Sequence, residues 1–452
     1  MNIDSIKKVY FVGIGGIGMS ALARFFKQRG VEVNGYDKTE TDLTRQLVQE
    51  EIGVTYTDAE TELKKEVDVV IYTPAIPQDN VILNWYRANN YPVYKRSDAL
   101  QWITESMFAI TVAGTHGKTT ISTMIGHILR DTGYGCNAFL GGISVNYNTN
   151  YWSSDNAVAV IEADEYDRSF LKLKPDVAVL TAMDADHLDI YGTPEAVQEA
   201  YIQYTANIKP NGTLIKKHGL KQGAQLKGAH KKSYSLQNTG ADAYADNIQM
   251  KNGSYIFDVK GNGIFLTDVH LNIGGMHNVE NCIAAIAVAK QLEIEDEAIK
   301  SAVANFKGVK RRFEYIVKND KIVYIDDYAH HPEELAALIK SAKTLFSKRR
   351  IVIAFQPHLF TRTRDFATEF AHALDMADEI ILLDIYPARE LPIEGVDAAM
   401  IKSKMGNPNV TILSKEGLLS YVTNAPLDLF ITAGAGDIDK LVAPIGKILS
   451  EK

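Results

Sequence analysis

One pattern limits what this chain can fold into. Short β-branched runs give way to glycine-rich or polar turns and then to longer amphipathic segments, again and again along 452 residues. Strand–turn–helix alternation builds α/β units with largely parallel sheets, because a parallel strand needs a crossover to return to the same sheet edge. The first nucleus opens with Lys8-Val9-Tyr10-Phe11-Val12, then Gly13-Ile14-Gly15-Gly16-Ile17-Gly18, then a helix pattern over 19–29 stopped by Gly30. Strands follow at 31–35 and 67–72, and Thr73-Pro74-Ala75-Ile76-Pro77 must be a loop because its prolines stop regular structure. The second nucleus has a strand at 107–112, the turn Gly114-Thr115-His116-Gly117-Lys118-Thr119-Thr120, and a helix to about residue 130. Strands at 157–161 and 177–181 come next, then a β-rich stretch over 212–273 with turns at Asn252-Gly253 and Gly261-Asn262-Gly263, then a helix over 278–292. The third nucleus begins near Arg311-Arg312-Phe313-Glu314, with strands at 322–325, 351–355, 379–383 and 429–432. Three domains are expected, 1–106, 107–312 and 313–452, in line with roughly 150 residues per domain.

Composition narrows the function classes. Hydrophobic residues are 46% and charged residues 23%, globular values. A net charge of −8 argues against broad nucleic-acid or anionic-membrane binding, though it allows a local basic pocket. Two cysteines, Cys136 and Cys282, exclude a disulfide framework or a cysteine-rich zinc site. No apolar run approaches the ~20 residues of a membrane span, and the N-terminus lacks a signal-peptide core. A cytoplasmic protein is expected, with monomer and homodimer both open.

The turn at Gly114-Thr115-His116-Gly117-Lys118-Thr119 lies between a strand and a helix. There, successive backbone N–H groups and the helix N-terminus face an anion. Lys118 would add charge near the β and γ phosphates of ATP, and the Thr119 hydroxyl would ligate Mg²⁺. The longer phosphate-loop pattern would put a glycine at position 112, where Val112 stands.

Gly13 to Gly18 satisfies G-x-G-x-x-G after a strand, a turn that lets a pyrophosphate approach the backbone. Its commonest reading is a dinucleotide site, with Asp37 on a ribose; that makes an NAD-dependent dehydrogenase an alternative. Glu162-Ala163-Asp164-Glu165 ends one strand of the second nucleus and Asp186-His187 follows another. Carboxylates at such strand ends suit nucleotide-bound Mg²⁺. Asp326-Asp327-Tyr328-Ala329-His330-His331-Pro332 and Gln356-Pro357-His358-Leu359-Phe360-Thr361-Arg362 end strands of the third nucleus. A zinc site at His330-His331 is not favoured, because adjacent histidines diverge on an extended backbone.

Together these motifs resemble the Mur ligase family, from Gly13 to about Asp437. The family's phosphate loop is G-x-x-G-K-[ST], which Gly114 to Thr119 meets. The resemblance implies a three-domain architecture: a Rossmann-like N-terminal domain, a central P-loop ATPase domain and a Rossmann-like C-terminal domain. It implies an ATP-dependent ligase that joins L-alanine to the lactyl carboxylate of UDP-N-acetylmuramate, with Mg²⁺ or Mn²⁺. Gly13, Gly15, Gly16, Ile17 and Gly18 would then serve the UDP pyrophosphate, and Asp37, Ala75 and Ile76 would lie near the uridine. Gly114, Thr115, His116, Gly117, Lys118, Thr119 and Thr120 would hold ATP, with Thr119, Glu162 and His187 on the metal. His277, Asn278 and Asn281 would lie near the adenine and phosphates, Arg312 and His330 on the ATP side, and Asp327 on the ribose. Tyr328, His358 and Arg362 would form the amino-acid pocket. Lys118, Glu162, His187, Arg312 and His358 would carry the catalysis, and closure of the domains would shield the intermediate.

Some positions depart from the family pattern. Tyr166 replaces a usual serine and Ala329 a usual glycine, both as in the related ligase that attaches a recycled tripeptide to the same nucleotide. Gly13 to Met19, and Gln356-Pro357-His358 with Thr361-Arg362-Thr363-Arg364, match the alanine-adding members. Leu359 and Phe360 replace a usual arginine and tyrosine.

Overall fold

The computed structural model describes residues 3–185, 187–388 and 390–452. Asp186, named above beside His187, lies outside the described residues. Among the described residues three sheets are present. The first runs in the order Gly53–Thr55, Glu32–Tyr36, Lys8–Val12, Val69–Tyr72, Val93–Lys95, all parallel. Lys8–Val12 lies between the strands that precede and follow it in the order, so its carboxyl end is a topological switch point, where open α/β sheets take ligands.

The second sheet has ten strands. Its centre is Val177–Leu180, Phe108–Ala113, Val158–Glu162, all parallel, and Phe108–Ala113 ends at a second switch point. Asn137–Ser144 and Thr149–Trp152 close one end as an antiparallel pair. Thr213–Lys217, His230–Ser235, Ala243–Lys251, Ser254–Gly261 and Ile264–Leu271 extend the other. The last three are joined by the two-residue turns Asn252-Gly253 and Asn262-Gly263, with Gly253 and Gly263 at φ +71° and +72°, the backbone that such tight connections demand. The third sheet runs Glu314–Lys318, Val323–Asp327, Leu429–Ala433, Ile351–Phe355, Glu379–Leu382, Val410–Ile412. All neighbours are parallel except the edge strand Glu314–Lys318, which is antiparallel to Val323–Asp327.

Burial follows from the sequence period. The central strands are apolar on both faces: Val177–Leu180, Ile351–Phe355 and Leu429–Ala433 are buried at every position, as expected of parallel strands covered by helices on both sides. The helix Ile17–Gln28 buries Met19, Leu22, Phe25 and Phe26. Phe25 packs against Phe139 and Tyr151, with ring centroids 5.3 and 6.3 Å away. On the same helix Arg24 is buried, paired with Glu50 at 2.7 Å and bonded to Asn150.

By internal contacts the chain forms two compact units. The first comprises 1–246, 257–269 and 280–306; the second comprises 247–256, 270–279 and 307–452. No described helix is long and apolar enough to cross a membrane.

Candidate active site

At the first switch point two loops meet. Gly13 has φ +88°, and a Cβ there would lie 2.5 Å from Thr73 Cγ2 and 3.1 Å from Ile76 Cδ1. The loop with Ile76 half-buried and Ala75 exposed therefore packs onto the glycine turn. The Gly15 N–H donates to Asp37 Oδ2 at 2.8 Å, and the Gly16 N–H to Gly13 O at 3.3 Å. Asp37 thus braces the turn itself, and the Gly15 amide is already engaged. No described residue accepts from the N–H groups of Ile17 or Gly18, the first two positions of the helix Ile17–Gln28. The anion-binding capacity of this turn lies at those two donors.

At the second switch point Gly114 and Gly117 take φ +122° and +81°. A Cβ on Gly114 would overlap Thr181 Oγ1, and Thr181 Oγ1 donates to His116 O at 2.5 Å. The Thr115 N–H donates to Ala182 O at 3.3 Å. The neighbouring strand end therefore moulds the loop from one side. The N–H groups of His116, Gly117, Lys118, Thr119 and Thr120 have no acceptor among the described residues, an array of open donors of the kind that can receive an anion. Asn281 stands at its rim, since a Cβ on Gly117 would be 2.8 Å from Asn281 Oδ1. His277 is exposed, and the buried Asn278 side chain donates to Gly274 O at 2.6 Å, inside the start of its own helix.

Lys118 Nζ reaches Glu165 Oε1 at 2.7 Å and Gly114 O at 2.9 Å. The side chains of Lys118 and Glu165 are 13% and 3% exposed. Sequence reasoning named Glu165 within an acidic motif and gave it no role. Its partner, 47 positions away, becomes visible only when the strands are ordered. Glu165 Oε2 is buried with no hydrogen-bond partner among the described residues.

The expected metal donors are Thr119, half-buried at the helix start, Glu162 at the end of its strand, and His187. Glu162 Oε2 accepts the Gly141 N–H at 3.1 Å. His187, at φ +51°, precedes the helix Leu188–Tyr191; its Nε2 lies 3.9 Å from Glu165 Oε1, and its ring meets the Tyr166 ring edge-on at 5.5 Å. The Thr119 hydroxyl and the Glu162 carboxylate are hard oxygen donors that fit Mg²⁺, and the His187 imidazole is a nitrogen donor of intermediate softness. No cluster of three His, Cys, Asp or Glu side chains among the described residues forms a closed metal cage.

The second unit gathers its own cluster. Asp327 accepts the N–H groups of Phe313 and Ala329 at 2.7 and 2.8 Å. Burial nevertheless outweighs those bonds and pushes its carboxyl up to about 6. Arg312 is exposed, its guanidinium 5.7 Å over the Tyr328 ring. Its neighbour Arg311 is locked on Asp326 at 3.0 Å and on Gly434 O at 2.6 Å. Of two adjacent arginines, one is structural and the other is available to a ligand, a division that sequence does not reveal.

Pro332 opens the helix Pro332–Leu345, and Glu334 Oε2 accepts the N–H groups of His330 and His331. The two rings then part: His331 packs on Phe366 at 4.9 Å, and His330 faces His358 at 6.2 Å. His358 stacks on Tyr386 at 5.8 Å, and its Nδ1 is 3.5 Å from Arg362 Nη1. Tyr328 lies 5.1 Å from His330. The structure therefore brings Tyr328, His330, His358 and Arg362 together, and adds Tyr386, which sequence reasoning missed. Burial lowers the pKa of both histidines, and the Arg362 cation lowers that of His358 further.

Comparison with known proteins bears on all three regions. Residues 8–107 match the model of the Mur ligase family catalytic domain, 112–289 the Mur ligase middle domain, and 311–436 the Mur ligase glutamate ligase domain. The chain is 46% identical to a UDP-N-acetylmuramate–L-alanine ligase of Cytophaga hutchinsonii, covering 100% of this chain and 98% of that protein. It is 46% identical to the enzyme of the same name from Parabacteroides distasonis, covering 100% and 99%. Among solved structures it resembles the UDP-N-acetylmuramate–alanine ligase of Thermotoga maritima, with TM-score 0.83, 28% identity and coverage of 99% and 100%. These matches do not favour the dehydrogenase alternative. With two glycine turns at switch points, a strand-end cluster of histidine and arginine, and family models matched in all three segments, the chain belongs to the Mur ligase family.

Proposed function

We propose that this chain is an ATP-dependent ligase of peptidoglycan precursor synthesis in the cytoplasm, forming the amide between L-alanine and the lactyl carboxylate of UDP-N-acetylmuramate. The observation that carries the reading is the array of open N–H donors at 116–120 with Lys118 held beside it by a buried carboxylate. It supports phosphoryl transfer in a chain whose full-length relatives bear that ligase name.

The lactyl carboxylate oxygen attacks the γ-phosphorus of ATP, the bond to the bridging oxygen breaks, and ADP leaves. Positioning and charge neutralisation supply most of the catalysis in such a transfer. The open N–H groups and Lys118 hold the phosphates, and Arg312 adds a second cation. Thr119, Glu162 and His187 would hold Mg²⁺ or Mn²⁺, which when bound neutralises phosphate charge. Asp327 takes the ribose hydroxyls. The neutral amine of L-alanine then attacks the acyl phosphate carbon, inorganic phosphate leaves, and the nitrogen loses a proton. Arg362 pairs with the alanine carboxylate, and His358, kept neutral by burial, orients the amine. Arg362→Ala should raise the alanine KM by roughly 30-fold or more with ATP binding nearly unchanged, measured by steady-state kinetics and calorimetry; equal losses for both ligands would refute that role.

The reading is tested by phosphate release from ATP and UDP-N-acetylmuramate with L-alanine, glycine, L-serine or the L-alanyl-γ-D-glutamyl tripeptide. Release that needs both nucleotides and prefers L-alanine is the expected result. Preference for the tripeptide would make the chain the recycling ligase, and no release with any acceptor would reject ligase activity.

A further inference from the structure

We propose that Arg96 is a diphosphate ligand of the UDP-sugar site, held in place by Asp164. The proposal rests on the ligase reading and adds a residue to it. Arg96 opens the helix Arg96–Ser106, directly after the edge strand Val93–Lys95 of the first sheet. Its guanidinium packs against the glycine turn: a Cβ on Gly18 would overlap Nη1, with Cδ and Cζ each 3.4 Å away. Nη2 lies 3.0 Å from Asp164 Oδ2, the one hydrogen-bond acceptor Arg96 has among the described residues. The side chain is 22% exposed.

Two observations converge on an anion here. First, a guanidinium lies against the N-terminal turn of the helix Ile17–Gln28, whose end carries positive partial charge. Like charges in contact are unfavourable unless a negative group joins them, and Asp164 engages only one edge of the fork. The open N–H groups of Ile17 and Gly18 lie in the same turn. The adjacent cation, Lys95, is already spent on Asp167 at 3.0 Å.

Second, Gly18 is helical and its φ does not require glycine, which costs a helix about 1 kcal/mol relative to alanine. The space its missing side chain leaves is filled by Arg96. A planar fork with several free donors matches phosphate oxygens two at a time, so the ligand class is a nucleoside diphosphate at the Ile17–Gly18 donors.

The test is isothermal calorimetry of the full chain with UDP, and separately with a non-hydrolysable ATP analogue, for wild type and Arg96→Ala. UDP affinity should fall roughly tenfold or more in the variant, with the ATP analogue bound as in wild type. Unchanged UDP affinity, or parallel loss of both ligands and of Tm, would overturn the proposal. Should Arg96→Ala not fold, Arg96→Lys decides. An ammonium keeps the charge and the Asp164 pair but cannot serve carboxylate and diphosphate together. UDP should then bind several-fold more weakly, and wild-type affinity would overturn the proposal. Wild type that binds neither UDP nor UDP-N-acetylmuramate would refute the ligase reading instead.

Discussion

Lys118 and Glu165 form a nearly buried ion pair, and breaking one half of such a pair strands the other charge. Glu165→Gln should therefore cost on the order of 3 kcal/mol of stability. In the proposed reading ATP phosphates restore a counter-charge to Lys118, so the Tm gain from an ATP analogue should be larger in the variant than in wild type; an equal gain would mean that Glu165 does not tune this lysine. His330 and His358 differ in kind. Their folded-state pKa values lie below the ordinary 6.5, so between those values and 6.5 the unfolded chain binds protons that the folded chain refuses. Their contribution to stability is complete above about pH 6.5 and is lost as pH falls. Asp327, raised to about 6, titrates nearby with the opposite sign, so a difference measurement is needed. Denaturant melts from pH 7.5 to 5.5 should show wild type losing more stability than His358→Gln. The proximity of Tyr328, His330, His358 and Arg362 was foreshadowed because their types are chemically dense at strand ends. Glu165 was marked only as part of an acidic motif, without its partner, and nothing local marks Arg96 or Tyr386.

Each site lies where a sheet element ends, and this scale was the most legible. The strand Phe108–Ala113, the helix Lys118–Asp131 and the loop between them lie within a residue or two of the expectation, because a buried apolar run, two glycines and a helical period are all local signals. The antiparallel edge strand Glu314–Lys318 was not anticipated. Only its first residue belonged to the motif read there, and its pairing partner is chosen by the sheet. The hairpin of Asn137–Ser144 and Thr149–Trp152 was missed as well, since its connection carries none of the Asn-Gly or Asp-Gly signals that mark tight turns. The phosphate loop gives the element-scale prediction. Gly114 at φ +122° has Ala182 N 2.7 Å from its missing Cβ, so Gly114→Ala must move backbone rather than a flexible side chain. ATP-analogue affinity should fall roughly tenfold or more in calorimetry, with UDP binding retained.

At the scale of the whole molecule, chain order and compact units do not coincide. Residues 247–256 and 270–279 belong to the second unit although they precede residue 307. Gly253 O accepts from Tyr315 Oη at 2.7 Å and from Lys318 Nζ at 3.2 Å, and the Phe313 ring fills the space beside Gly274. A fragment of residues 313–452 should therefore melt well below the second unit of the full chain in a circular-dichroism scan, because it leaves Tyr315 and Lys318 without those partners. A fragment as stable as the full chain would show that those segments contribute little. The sequence by itself determined the alternation of strands and helices, the two glycine turns and the residue types at the strand ends, because these depend on neighbours a few positions apart. Only the tertiary structure decided that Glu165 holds Lys118 across 47 positions and Asp164 holds Arg96 across 68. It also decided that Arg311 is locked while Arg312 is exposed. Those pairings depend on which strands become neighbours, and strand order is set by packing the whole sheet rather than by any local run of residues.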